Sequence, residues 1–126
     1  RQALAQHYQR TGQYDAALAE YQAAVTLIPD NVQAHANLAS AYSRMGLYAE
    51  AQSEYSTALA LRPTDPGLHY QLAEMYRRSN DLASALASYQ HVINLQPESP
   101  QAQRAARMMT RIERQLSASA APKHLG

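Results

Sequence analysis

The sequence contains no cysteine, which excludes disulfides, thiolate catalysis and cysteine-ligated zinc. Phenylalanine and tryptophan are also missing, so nine tyrosines carry all the large aromatic bulk. Glycine occurs only at Gly12, Gly46, Gly67 and Gly126, too scattered for a phosphate-cradling loop. No apolar run approaches the roughly 20 residues that span a bilayer, and no signal-like segment opens the chain. Neither sign of charge prevails: 11 basic against 10 acidic residues leave a formal charge of +1. That balance removes any global electrostatic case for nucleic acid or a membrane surface. Valine and isoleucine are scarce and alanine is abundant, a mixture that favours helix over strand. The 126 residues suit one domain. All basic residues but Lys123 are arginine, and this bias with the alanine content fits a GC-rich, bacterial coding sequence.

What is present is a period of 34 residues. Pro29, Pro63 and Pro97 share it, as do Tyr21, Tyr55 and Tyr89, and Tyr8, Tyr42 and Tyr76. Leu4, Leu38 and Leu72 form another column, and Ala17, Ala51 and Ala85 a further one. Gly12 and Gly46 continue into Asn80, and Tyr14 and Tyr48 into Leu82; only Tyr70 stands outside the tyrosine columns. Self-similarity at such a period marks stacked supersecondary units.

The columns resemble the tetratricopeptide repeat (TPR), whose pattern runs Trp, Leu-Gly, Tyr, Ala, Phe and a closing Pro. The second unit reads His35, Leu38-Ala39, Tyr42, Ala51, Tyr55, Ala58, Pro63, and the third His69, Leu72-Ala73, Tyr76, Ala85, Tyr89, Val92, Pro97. The first enters late, with Leu4-Ala5, Tyr8, Ala17, Tyr21, Ala24 and Pro29. His replaces Trp, Ala replaces Gly and Tyr replaces Phe, each keeping its size class. The resemblance covers about residues 1–97. It implies an all-α, right-handed superhelix of helix-turn-helix units, an α-solenoid, with units near 1–31, 32–65 and 66–99.

Each unit reads as two helices, near Val32–Met45 and Tyr48–Leu61 in unit 2. Gly46 stands where a left-handed C-terminal cap is wanted, with Gly12 and Asn80 in the same role. Pro63 cannot continue the second helix, and Asp65-Pro66 and Ser99-Pro100 are start signals. After Ser99 the columns fail: Arg107 and Thr110 break them. Residues 99–117 still carry an apolar stripe of Ala102, Ala105, Ala106, Met109, Ile112 and Leu116, with Arg104, Arg107, Arg111 and Arg114 opposite. One face apolar and one charged is what a capping helix needs. The domain is thus expected over 1–117, with a flexible tail over 118–126. Arg1 falls inside the first helix of a unit, so further repeats are expected ahead of it and the open end is a candidate surface for a second copy.

Catalytic chemistry finds no support. His35 and His69 lie one period apart in a packing column, and no HExxH motif or carboxylate cluster accompanies the five histidines. Glu50 and Glu54 read as a solvated helix face. No serine sits in a nucleophile elbow, so neither catalytic residues, a metal nor a cofactor is expected.

A helical wheel of about 100° per residue sets a polar arc opposite the packing residues. In unit 2 it holds Gln33, Asn37, Ser40 and Arg44; in unit 3 Gly67, Gln71, Glu74 and Arg78; in unit 1 Ala3, Gln6 and Arg10. Arg77 and Tyr70 flank it. The resemblance implies that this arc lines a concave groove for an extended peptide or partner helix. Arg10, Arg44 and Arg78 repeat with the period, whereas the second helices carry Asp15, Glu20, Glu50, Glu54 and Asp81. Two readings of the arginines stand: recognition of acidic or C-terminal carboxylates, or complement to the helix dipole in each last turn. Asn37 and Gln71 are candidates for holding a peptide backbone. The carboxylate clamp of heat-shock-protein TPR domains matches at Asn37 alone; Gln2, Gln6, Gly67 and Gln71 stand where it wants Lys, Asn, Lys and Arg.

The expected function is a protein–protein interaction scaffold whose groove takes a peptide or partner protein, acidic if the arginine column recognises it. The alternatives are a substrate-targeting arm of a larger enzyme, such as a glycosyltransferase, and a self-association module of an assembly or secretion system. Nucleic acid and membrane insertion are not expected.

Overall fold

A computed structural model describes residues 3–4 and 13–120 of the chain. The described residues form an all-α repeat solenoid without a strand. Six helices follow one another: α1 Tyr14–Leu27, α2 Val32–Arg44, α3 Tyr48–Leu61, α4 Pro66–Arg78, α5 Leu82–Leu95 and α6 Pro100–Ala120. The expected first helix of unit 1, with Gly12 and Arg10, lies outside the described residues apart from residues 3–4.

Helix boundaries follow from caps that repeat with the sequence. The Asn31 side chain accepts from the Ala34 amide at 3.1 Å. One period on, Asp65 Oδ1 accepts from Gly67 and Leu68 at 2.9 and 3.3 Å, with Pro66 opening the helix. One period further, Ser99 Oγ accepts from Ala102 at 3.0 Å. These side chains satisfy amides that the first helical turn leaves without partners. At the other end, Gly46 and Asn80 take φ of 79° and 65°. The Leu47 amide donates to Tyr42 O and the Gly46 amide to Ser43 O, at 2.8 and 3.1 Å. Asp81 and Asn80 repeat the pair onto Tyr76 O and Arg77 O at 2.8 and 3.0 Å. This double bond is the Schellman closure, which requires the left-handed residue.

Small residues set the spacing and tyrosines fill it. Ala17, Ala51 and Ala85 are fully buried, as are Ala39 and Ala73, so α2 meets α3 and α4 meets α5 at close range. Tyr21, Tyr55 and Tyr89 are buried beside them. Consecutive helices pack, and α2 also touches α4 while α4 touches α6. The core is therefore a chain of small clusters rather than one central mass, as expected of an array of nearest neighbours.

The last cluster ends under α6. Ala105 and Ile112 join Ala73, Ala85, Tyr89 and Val92, with Met108 and Met109 packed against them. Burying a side chain the size of Ile112 contributes about 1.5–3 kcal/mol before ordering entropy is subtracted. The sequence-based end of this helix at 117 needs correction. Ala118, Ser119 and Ala120 remain helical, so the first three residues of the expected flexible tail belong to α6. Alanine has the highest helix propensity, and the sequence offers no breaker before Pro122.

Candidate functional site

Because α2 and α4 occupy equivalent places in consecutive units, their polar arcs face the same side. Between them lies a cavity of about 310 Å³. The lining from α2 is Asn37, Ser40, Ser43 and Arg44; that from α4 is Tyr70, Gln71, Glu74, Met75 and Arg78. Tyr55 of α3 completes it. Three of these pairs are one period apart: Asn37 with Gln71, Ser40 with Glu74, and Arg44 with Arg78. Spacings of three and four residues put each set on one helix face. Of the residues expected in the site, Asn37, Ser40, Arg44, Tyr70, Gln71, Glu74 and Arg78 are thus brought together.

Gln33 and Arg77 do not line the cavity, and Arg10 lies outside the described residues. Both absentees act on residues that do line it. Gln33 Nε2 donates to Asn37 Oδ1 at 2.9 Å, which turns the Asn37 amide nitrogen away from its neighbour. Asn37 Nδ2 is buried without a hydrogen-bond partner. Arg77 donates through Nε and Nη2 to Glu74 at 3.3 and 3.1 Å, and the Tyr89 hydroxyl donates to the same carboxylate. Burial alone would raise the Glu74 carboxyl, but the bonds from Arg77 and Tyr89 outweigh it and hold the group below its ordinary range. Burial and the Glu74 carboxylate together push the Tyr89 hydroxyl far up, which keeps it a donor.

Ser43, Tyr55 and Met75 were not expected in the site. Ser43 is only 3% exposed, and its hydroxyl has no hydrogen-bond partner. A small polar residue within the buried arc of α2 was the signal for it. Tyr55 belongs to a packing column, and nothing in the sequence singles it out for the groove. Burial pushes its hydroxyl up to about 12, against the opposing pull of the Arg78 and Arg44 charges. Neither of those arginines forms a salt bridge among the described residues, although the Arg78 charge helps to lower the Glu74 carboxyl. Tyr70 meets the edge of Tyr89 with centroids 5.7 Å apart, and the Arg104 guanidinium of α6 lies 5.7 Å from its centroid. A second hollow, of about 350 Å³, runs along α6 between Arg107, Thr110, Arg111 and Arg114. All four are exposed and come from one helix, so that hollow has no buried polar floor.

The histidine column has bonds that its packing role did not foretell. His35 Nδ1–H donates to Glu54 Oε1 at 2.7 Å, and Nε2–H donates to the Pro29 carbonyl at 2.6 Å. Two acceptors facing both nitrogens suit an imidazolium. Burial works against that charge, yet the Glu54 and Pro29 bonds outweigh it and raise the group. Glu54 is therefore engaged, not a solvated surface acid. His69 Nε2–H donates to the Pro63 carbonyl at 2.9 Å, but its Nδ1 is buried without a partner. In the sequence, Ser88 holds the place of Glu54 one period on. Among the described residues no group of three His, Cys, Asp or Glu side chains gathers as a metal site would require. No helix among them is long and apolar enough to cross a membrane.

The model of the tetratricopeptide repeat matches residues 30–98, and a second model, of the TPR repeat, matches residues 5–46. The chain belongs to the tetratricopeptide repeat family. Solved TPR structures superpose over most of it. The first TPR of Spaghetti (RPAP3), bound to the HSP90 peptide SRMEEVD, is 25% identical, with a TM-score of 0.79 over 92% of this chain and 90% of that one. The first TPR domain of human RPAP3 is also 25% identical, with a TM-score of 0.80 over 93% and 90%. The Yersinia enterocolitica type III secretion chaperone SycD, in complex with a peptide of the translocator YopD, is 22% identical, with a TM-score of 0.79 over 90% of each chain. No curated protein sequence matches the chain significantly. The expected membership of the TPR family and the all-α solenoid fold are borne out by the family match and by these superpositions.

Proposed function

We propose that this TPR domain is a protein-interaction module that holds an extended peptide of a partner protein in the groove between α2 and α4. The observation that carries the reading is the cavity itself, whose lining includes a buried amide donor at Asn37 and a buried hydroxyl at Ser43 without partners. Leaving such groups unpaired costs about 1–3 kcal/mol each. A peptide carbonyl beside them removes that cost. Gln33 supports the arrangement by fixing Asn37, and Gln71 offers the equivalent amide one unit on. The Spaghetti (RPAP3) and SycD neighbours, whose structures hold peptides, support the same use of the fold. The reading is non-catalytic: binding and orientation are all that these side chains need supply. A role as the targeting arm of a larger enzyme would use the same groove. The surface that self-association through the open end would use lies outside the described residues.

The test begins with random dodecapeptides displayed on phage and selected against the domain. Calorimetry then compares a selected peptide on the parent and on Asn37→Ala/Gln71→Ala. Loss of two backbone hydrogen bonds at about 0.5–1.5 kcal/mol each predicts roughly five- to 150-fold weaker binding. Unchanged affinity in the double variant would remove the groove from the reading.

A further inference from the structure

The two arginines of the groove, Arg44 and Arg78, have a more specific arrangement than general basic character. We propose that they form the walls of a carboxylate slot, in which one carboxylate of the ligand sits between their guanidinium groups within reach of Ser43, Asn37 and Tyr55. The proposal rests on the peptide-groove reading and names the chemistry recognised there.

Charge is the first support. Arg44 and Arg78 line one cavity and form no salt bridge among the described residues, although the Arg78 charge helps to lower the Glu74 carboxyl. The only acid in that lining, Glu74, is already matched by the paired donors of Arg77 and by the Tyr89 hydroxyl. Neither groove arginine is therefore committed to an ion pair. A cation finds no uncompensated acid there, whereas a carboxylate matches the planar fork of a guanidinium.

The uncharged groups point the same way. Ser43 Oγ and Asn37 Nδ2 are buried and without partners, and Ser43 is 97% buried by its 3% exposure. Gln33 occupies Asn37 Oδ1, so what Asn37 has left to offer is its N–H donors. The Tyr55 hydroxyl, held protonated by burial, is a further donor beside the two arginines. Donors without acceptors, around a cavity flanked by two positive charges, are the complement of an oxyanion. The helix-dipole role of Arg44 and Arg78 in the last turns of α2 and α4 explains neither unpartnered group. The slot also differs from the hollow on α6, where three exposed arginines and Thr110 stand without buried donors.

A carboxylate reaches this slot from an Asp or Glu side chain or from a peptide C-terminus, and two capped probes present each source by itself. N-acetyl-glutamic acid amide carries only a side-chain carboxylate, and N-acetylglycine only a main-chain one. Each is titrated into the ¹⁵N-labelled protein at constant ionic strength, with N-acetyl-glutamine amide and sodium chloride as controls. The expected result is a saturable shift of the Arg44 and Arg78 Nε–H signals and the Ser43 amide, by either acid but by neither control. Arg44→Gln and Arg78→Gln should each abolish saturation, with circular dichroism checking that their helix content is unchanged. In a peptide selected on the groove, replacing its acidic residue by the amide should weaken parent binding at least tenfold, but the Arg44→Gln/Arg78→Gln protein less than twofold. Shifts no larger than those from sodium chloride overturn the slot. So does a groove-bound peptide indifferent to its acidic residue, and that outcome leaves the groove itself standing. If no selected peptide occupies the groove, the peptide reading falls, and the capped probes still decide the slot.

Discussion

Gly46 and Asn80 close equivalent helices with different side chains, and the difference can be measured. At Gly46 a Cβ would meet nothing within 4 Å, so the cost of a side chain there is purely one of backbone conformation. Gly46→Ala should destabilise the domain by about 1 kcal/mol, and Gly46→Asn by less, because Asn tolerates the left-handed region. Thermal unfolding of the two variants checks the order. His35 supplies a pH prediction. Its folded value is raised, so the stability it contributes is complete below the ordinary imidazole value of about 6.5 and is lost as pH rises through the folded value. The melting temperature should fall as pH rises above about 6.5, and His35→Gln should flatten that fall. An identical slope in the variant would assign it to another group. The sequence placed both histidines in a packing column, and the fold keeps them there. Their bonds were not legible, because Glu54 is 19 residues from His35 and the Pro29 carbonyl is a backbone group whose direction no residue type announces.

Helix limits were far more legible than side-chain bonds. Asp65 and Ser99 cap their helices where the sequence put start signals, Asn31 does the same one period earlier, and Gly46 and Asn80 end them. The exception is the end of α6, where alanine and serine carry the helix past the end of its apolar stripe. Docking of this helix is the prediction that belongs to this scale. Deleting residues 99–126 uncovers Ala85, Tyr89 and Val92, and repeat arrays lose neighbour energy when a terminal element goes. The deletion should lower the melting temperature and promote self-association in sedimentation. The milder Ile112→Ala should cost about 2–5 kcal/mol through the cavity it leaves. An unchanged midpoint in both variants would mean that α6 does not stabilise the last unit.

For the whole molecule, the wheel located the groove face but not the pairings within it. Gln33 with Asn37 and Arg77 with Glu74 are neighbours four and three residues apart on single helices. Such neighbours face either a ligand or each other, and the sequence does not distinguish the two. The groove floor was hidden for another reason: Tyr55 comes from α3 and enters the cavity only through packing. The most direct measurement of groove binding is a map of backbone amide shifts as a display-selected peptide is titrated into the ¹⁵N-labelled domain. Peptide binding between α2 and α4 predicts that the largest changes gather at Asn37, Ser40, Arg44, Gln71 and Arg78. Changes centred instead on the exposed residues of α3 and α5, such as Ser53, Ser56, Ala83 and Gln90, with the groove residues unmoved, would contradict it.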